Sequence, residues 1–518
     1  MATLFGFVVA VAQITRYDVW ALLAGGRYIV AHGLPATDPF SFTAADRRWV
    51  NHSWLSQVLL YLAYARLGPV ALVLLKGAAG AATVAIVFRS ALRRSRAPVA
   101  AALVAGLVAI GLGPWWELRP QVLTYLIWAA FLAAHAAWRA GDARALWLLP
   151  PLMAAWVNVH AAFALGVVAL ALWIAGLAGV RALKRLGRRS GGEPAPDGRS
   201  PAPRARDGSA DPAEPRPAPP ALRPLLVAAG VVLLATLANP WGWRAWAFPL
   251  AMTTSRRALA ASVDWYPPDF LDPALLPALL ALPGLALALA LPRVRPPLDE
   301  GLLLGFLMAA SLRSARHLPL CLIAGAPLLA RLVAASASRA VAARPRLAPL
   351  GTGLAVAGLA AGILGVLGWT RAPDRNPFLQ ELDEVRYPVE AVAFMRRARP
   401  PAPLFNAYVW AGYELWALPE YRVFIDNRFE VYPQRVIDDY VAVTYLDAGW
   451  EAVLDRWRIR TLLVDRGSPL ARALAASGRW RPVFAAREAA VFVDGRDAEV
   501  RAFLGGLERG GAAGTGAP

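Results

Sequence analysis

Residues 32–57 read HGLPATDPFSFTAADRRWVNHSWLSQ. The stretch carries two each of Pro, Asp, His, Trp and Phe, and apolar sequence lies on both sides of it. The surroundings decide what kind of loop this is. Of 518 residues, 58% are hydrophobic and 17% charged, with 20 Trp, and the mean hydropathy is +0.44. A soluble chain of this length divides into water-facing domains with more charge. Here many apolar runs approach the roughly 20 residues that a helix needs to cross a bilayer. The class is a polytopic α-helical membrane protein.

Working outward, apolar runs fall near 2–15, 69–88, 97–113, 122–138, 145–157, 161–180, 224–238, 274–292, 301–312, 318–335 and 349–369. Residues 54–67 form a further patch, broken by Gln57 and Arg66 and closed by Gly68-Pro69. Its pattern is that of a helix lying at the interface, which leaves about eleven crossings. The formal charge of +19 would point to nucleic acid in a soluble protein. In a membrane protein it is the signature of basic cytoplasmic loops, and no nucleic-acid partner is expected. Arg93 and Arg94 follow the second run, Arg139 and Arg144 the fourth, Lys184 and Arg185 the sixth, Arg293 and Arg295 the eighth, and Arg344 and Arg346 the tenth. Those loops are expected inside, with the N-terminus; the first loop (16–68) and everything after 370 are expected outside. Residues 2–15 lack a basic leader and a cleavage site and read as an anchor. The single cysteine, Cys321, permits no intramolecular disulfide.

Residues 190–221 are Pro-, Ala- and Arg-rich without apolar periodicity and predict a disordered cytoplasmic linker. Residues 371–508 change character. PLFNA, YRVFID, RTLLVD, RPVFAA and AAVFVD read as strands, with AVAFMRRA, YVWAGYELWAL and PLARALAAS as helices between them. Strands alternating with helices predict a small α/β domain. Residues 509–518 are Gly/Ala-rich and read as a disordered tail.

The expected outer loops collect the chemistry. Asp18, Glu117, Arg119, Arg313, Arg316 and His317 flank apolar helices, where a charge is costly unless it is paired or lines a wet cavity. Arg119, Arg244, Arg313 and Arg316 are bidentate donors suited to phosphate oxygens. Arg313 and Arg316 stand three apart, which on a helix puts them on one face. Asp18, Asp38 and Glu117 suit a general base or a cation ligand. Against this, most of the tryptophans, Trp54 among them, fit an aromatic belt, and His160 fits a packing or capping role. Asp426-Asn427-Arg428 reads either as a turn at a strand end, with Asp426 bonding its own backbone, or as a group reaching back over the membrane domain to hold an acceptor.

The pattern D-x-W-x5-G-R-x-I-x2-H-G-x-P-x2-D-P-F-S-F-T…W-x2-H-x-W-L-x-Q, running from Asp18 to Gln57, resembles the opening of bacterial membrane proteins of the GT-C glycosyltransferase type. LRPQ (118–121), NVHAAFALG (158–166), NPWGWR (239–244), RSARHLPL (313–320) and FNAYVWAGYELW…VFIDNRFEVY (405–432) extend the resemblance. It implies sugar transfer from a polyprenyl-phosphate-linked donor on the periplasmic face of the inner membrane, with Asp18, or else Asp38, as the base. His52, Trp54, Glu117, Arg119, Asn158, His160, Arg244, Arg313, Arg316 and His317 are the expected substrate-binding residues. A divalent cation is a further expectation. Many GT-C enzymes have two adjacent acidic residues in this loop, whereas Asp18 stands between Tyr17 and Val19. Two other readings compete. A transporter of a lipid-linked substrate would place polar groups through the mid-membrane and show internal repeats, and neither is seen. A non-catalytic envelope-polysaccharide binding or assembly protein, using its outer domain as the contact surface, fits the same composition.

Overall fold

The computed structural model describes residues 1–11, 18–190, 220–254, 265–343, scattered positions between 353 and 368, and 387–509. Most of the expected linker 190–221, the C-terminal tail and most of the apolar run 349–369 lie outside the described residues.

Each apolar run from 2–15 to 318–335 contains a helix. These are α1 (Ala2–Ala10), α3 (Trp54–Ser95), α4 (Pro98–Gly111), α5 (Gln121–Arg139), α6 (Leu149–Val159), α7 (Phe163–Ser190), α8 (Leu222–Ala235), α10 (Leu276–Ala290), α11 (Leu298–Arg313) and α12 (Leu318–Ala343). The polar first loop contributes α2 (Asp18–His32), and α9 spans Ala247–Thr254. Where eleven crossings were expected, the described residues hold four helices long and apolar enough to cross a membrane. These are Trp54–Ser95, Gln121–Arg139, Phe163–Leu186 and Ala315–Arg339. Pro98–Gly111, Leu222–Ala235 and Leu276–Ala290 are apolar but shorter. Turn residues cut them off: Gly113-Pro114 follows the first of them and Asn239-Pro240 the second. At about 1.5 Å per residue they fall short of a hydrocarbon core roughly 30 Å thick.

Helix α3 is two helices in one run. Gly68 has φ 72° and ψ −171°, a conformation open to glycine, and Pro69 restarts the helix. The break falls where the sequence placed it. The arm 54–67 packs against α2 at close range. Any Cβ on Gly26 would collide with the Gln57 carbonyl, and one on Gly25 with the Gln57 side chain.

The C-terminal part begins with α13 (Val389–Ala398), followed by β1 (Leu404–Asn406), α14 (Ala411–Ala417), α15 (Gln434–Tyr445) and α16 (Trp450–Arg456). It continues with β2 (Thr461–Asp465), α17 (Pro469–Ala476), β3 (Trp480–Ala485), β4 (Ala489–Asp494) and α18 (Ala498–Arg509). The sheet order is β1-β2-β4-β3. β1 runs parallel to β2, and the other two pairings are antiparallel. Alternation along the strands splits the core. Leu463 and Val491 face a cluster with Trp20, Leu23 and Leu60 of the first loop. Leu462, Val464, Ala490 and Phe492 face a second cluster that takes in Ala44 and Trp49. Both faces are buried, so the first loop is part of the core of the C-terminal half.

One expected strand is corrected. YRVFID joins no strand of the sheet. Val423 instead exchanges backbone hydrogen bonds with the first loop: its N–H donates to Phe40 O at 3.0 Å, and Phe42 N–H donates to Val423 O at 3.3 Å. Asn406 replaces a strand neighbour. Its Oδ1 accepts from Phe424 N at 2.8 Å, and its Nδ2 donates to Ile425 O at 3.0 Å. These partners meet the backbone's requirement for hydrogen bonds, so the segment has no need of the sheet.

Candidate active site

Asp18 opens α2, where the unpaired N–H groups of the first turn favour an acidic side chain. It forms an ion pair with Arg119, and the two side chains are 21% and 26% exposed. Its other oxygen, Oδ1, accepts a 2.7 Å hydrogen bond from Asn427 Nδ2. Three distant stretches thus meet on one carboxylate. Tyr408 lies within reach of its charge. Burial first, and then the charges of Asp18 and Asp426, push its phenol above its ordinary range, so it is a neutral group at neutral pH.

Asp38 is placed differently. Its carboxylate accepts from Phe40 N and Ser41 N at 3.1 Å each and from Ser41 Oγ, and it pairs with Arg428 Nη1 at 2.7 Å. Its side chain is 0% exposed. Arg428 also pairs with Asp426 at 2.5 Å and stacks over Phe40 and Trp49, 4.8 and 4.5 Å from the ring centroids. Burial opposes the guanidinium charge, but Asp426 and Asp38 outweigh it and hold Arg428 above its ordinary pKa. This buried triad clamps the first loop to the C-terminal half. Of the two carboxylates proposed as base, only Asp18 is open to a ligand. In the Asp426-Asn427-Arg428 trio, Asp426 caps its own turn by accepting from Arg428 N at 2.9 Å. The residue that reaches back is Asn427.

A second group lies nearby. The NHSW segment is fastened to the end of α6. Trp54 Nε1 donates to Asn158 Oδ1 at 2.9 Å, Ser56 Oγ donates to Val159 O at 2.9 Å, and Asn158 Nδ2 donates to Ala238 O at 2.7 Å. This brings His52 and His160 within 6.3 Å, ring centroid to ring centroid, and stacks His52 on Phe248 at 4.2 Å. Burial, and then the charge of Arg316, push His52 down to about 4. Burial also takes His160 well below its ordinary value, helped by His52, Arg316 and Arg119. Two guanidiniums therefore act on one imidazole. His160 Nδ1 contacts Thr124 Oγ1 at 3.0 Å and accepts from Ala162 N at 3.4 Å, which puts its proton on Nε2. Arg316 lies over Trp265, 4.8 Å from the ring centroid, and His317 meets the same ring edge-on at 6.2 Å.

The structure separates Arg313 from Arg316. α11 ends at Arg313, Ser314 is extended with φ −153° and ψ 125°, and residues 315–317 form a 3-10 turn. The shared helical face does not exist, and Arg313 is exposed. Arg244 is exposed on its own 3-10 turn. Glu117 acts electrostatically on the buried Lys76 of α3. Trp116, beside Glu117, is 2% exposed and donates Nε1 to Ala109 O at 3.1 Å. The sequence reading missed Tyr408 as a site residue and Asn427 as the partner of Asp18. Both lie in stretches quoted for the resemblance. The described residues hold no cluster of three or more His, Cys, Asp or Glu able to hold a metal ion.

No protein-family model matches the sequence, and no curated protein does. Solved structures do match. One is the archaeal oligosaccharyltransferase AglB from Archaeoglobus fulgidus, in complex with an inhibitory peptide and a dolichol-phosphate. It aligns over 90% of this chain and 69% of its own, with TM-score 0.57 and 12% identity. The fold is GT-C-like. A second Archaeoglobus fulgidus oligosaccharyltransferase structure, a complex with Zn and sulfate, covers 95% of this chain and 73% of its own, with TM-score 0.53 and 12% identity. ArnT from Cupriavidus metallidurans, bound to undecaprenyl phosphate, covers 95% and 96%, with TM-score 0.48 and 14% identity. At these identities the likeness to the two oligosaccharyltransferase structures speaks for the fold alone.

Proposed function

We propose that this GT-C-like chain is a glycosyltransferase of a bacterial inner membrane. It moves a sugar from a polyprenyl-phosphate donor to an acceptor on the periplasmic face. The observation that carries the reading is Asp18: a carboxylate open to a ligand, gripped from two sides by Arg119 and Asn427. Asp18 takes the proton of an acceptor hydroxyl. The oxygen then bonds to the sugar's anomeric carbon, and the carbon–oxygen bond to the lipid phosphate breaks, its electron pair leaving with the phosphate. Arg316, on its Trp265 platform, meets that departing charge, which is the largest in the site. The neutral imidazoles of His52 and His160 offer hydrogen bonds to the sugar without adding charge. Residues 1–370 form the membrane part and 371–508 the periplasmic part, with lipids, the donor and an acceptor glycan, lipid or protein as partners.

Purified protein offered a panel of polyprenyl-phosphate monosaccharides tests the chemistry. The wild type turns over at least one donor, and Asp18→Asn turns it over at least about a hundredfold more slowly. Retained transfer in Asp18→Asn removes Asp18 as the base, and a wild type that turns over no donor leaves the assembly or binding reading in its place. Sidedness has its own test, since the one native thiol, Cys321, is buried. In intact cells, a cysteine replacing exposed Ser477 is labelled by an impermeant thiol reagent, and one replacing Arg144 is shielded. The reverse pattern overturns the orientation.

A further inference from the structure

Asn427 is held more firmly than its position on a loop requires. Its neighbours Asp426 and Arg428 are locked to each other and to Asp38 in the buried triad, so the backbone on either side of it is fixed. From that anchor the amide Nδ2 reaches Asp18 Oδ1 at 2.7 Å. The orientation of the amide is set by chemistry, because an ionised carboxylate only accepts and the NH₂ end must face it. The other end, Asn427 Oδ1, is buried and makes no hydrogen bond. A buried amide oxygen without a donor is uncommon and unfavourable. The amide is therefore half-used, with its acceptor in reserve beside the carboxylate.

We propose, resting on the transfer reading above, that Asn427 is the positioning residue of Asp18 and follows its proton. Nδ2 holds the carboxylate before the reaction, and Oδ1 accepts from the carboxylic acid after it. The exchange needs only a half-turn of the amide about its last torsion, which is a soft one. Before transfer, N–H of Asn427 donates to the Asp18 carboxylate. Asp18 then takes the acceptor's proton and becomes an O–H donor. The amide turns, Asp18 O–H donates to Asn427 Oδ1, and one hydrogen bond is exchanged for another. Because Oδ1 has no existing partner, no other hydrogen bond to it breaks in the turn. The C-terminal half thus completes the machinery of the membrane part instead of merely covering it.

Three variants of the full chain test this with the same donor panel, each checked for its melting temperature. Asn427→Leu fills the space without donor or acceptor. It lowers kcat about a hundredfold, in line with mispositioning of a reacting group, while the KM for donor and the melting temperature stay near wild type. Asn427→Gln keeps the amide and recovers part of the loss. Asn427→Asp sets a second carboxylate against Asp18. Like charges at that range cannot both ionise readily, so the acidic limb of the pH–rate profile moves up by about one pH unit or more. A purely structural tie would lower melting temperature and activity together and leave the pH profile in place. Wild-type kcat in Asn427→Leu, or superimposable pH profiles for wild type and Asn427→Asp, overturns the proposal and leaves the transferase reading standing. A wild type that turns over no donor overturns the transferase reading, and this inference with it.

Discussion

The two ends of α5 hold charge in opposite ways. Arg119 precedes the helix and Arg139 closes it, and the helix between them is about 27 Å long at 1.5 Å per residue. At the Arg139 end the central carboxylate is closed in. Asp299, with its side chain 2% exposed, pairs with Arg139 at 2.6 Å and lies 3.6 Å from His135 Nε2. Glu300 pairs with Arg94 at 3.1 Å. The His135 ring lies flat on Trp173, 3.6 Å between centroids, and Gly176 lets the backbone of Asp299 approach α7 closely. At the Arg119 end the central carboxylate, Asp18, is 21% exposed. Both ends keep buried polar atoms without hydrogen bonds, His52 Nδ1 and Asn427 Oδ1 at this one, His135 Nε2 and Arg94 Nε at the other, so the difference lies in the exposure of the central carboxylate. A buried carboxylate held by its guanidinium contributes to a fixed structure; a partly exposed one is a place for a ligand to bind.

The sharpest way to break this contrast is a pair of carboxylate substitutions. Asp18→Asn removes the base and lowers transfer by about 10²- to 10⁴-fold, with thermal unfolding nearly unchanged. Asp299→Ala leaves the part-buried Arg139 without its nearest partner and destabilises by about 3 kcal/mol, with turnover per folded molecule unchanged. Denaturation and kinetics on the two variants should give opposite signatures. Matching signatures would erase the distinction between the ends.

A smaller effect follows from pH. His52 titrates at about 4 in the folded chain instead of 6.5. Its neutral form is favoured by folding, so the unfolded chain binds more protons below 6.5. This contribution to stability is complete above pH 6.5, falls away as pH drops towards 4, and changes no further below that. The loss is of the order of 1–3 kcal/mol. A melting series from pH 7 to 4 should flatten in His52→Phe, and a series with the same slope as wild type would remove His52 from the buried group. The smallest effect belongs to Arg313. Exposed and off the turn that carries Arg316, Arg313→Ala should shift stability by no more than about 0.5 kcal/mol and leave donor KM unchanged. Arg316→Ala should raise donor KM. Equal effects would restore the paired clamp that the break at Ser314 denies.

Local physics decided much of this protein from sequence alone. Apolar runs became helices because burial of a long apolar stretch and internal backbone pairing are both satisfied within one segment. Gly68-Pro69 broke α3 because only that pair both permits φ 72° and restarts a helix. The segments holding Leu404–Asn406, Thr461–Asp465, Trp480–Ala485 and Ala489–Asp494 paired as strands, their β-branched and aromatic content having marked them. What the tertiary structure decided was every choice between like residues. Asp18 and Asp38 are both aspartates in one polar loop. Only the arrival of Arg428, 390 positions further on, consumes Asp38 and leaves Asp18 open. YRVFID has the composition of a sheet strand, yet its backbone partners come from Phe40, Phe42 and Asn406. Asn427 carries no mark of its own in the sequence. Its role comes from the 2.7 Å approach to Asp18 across 409 positions, because a hydrogen bond depends on where two atoms lie in space and not on how far apart they stand along the chain.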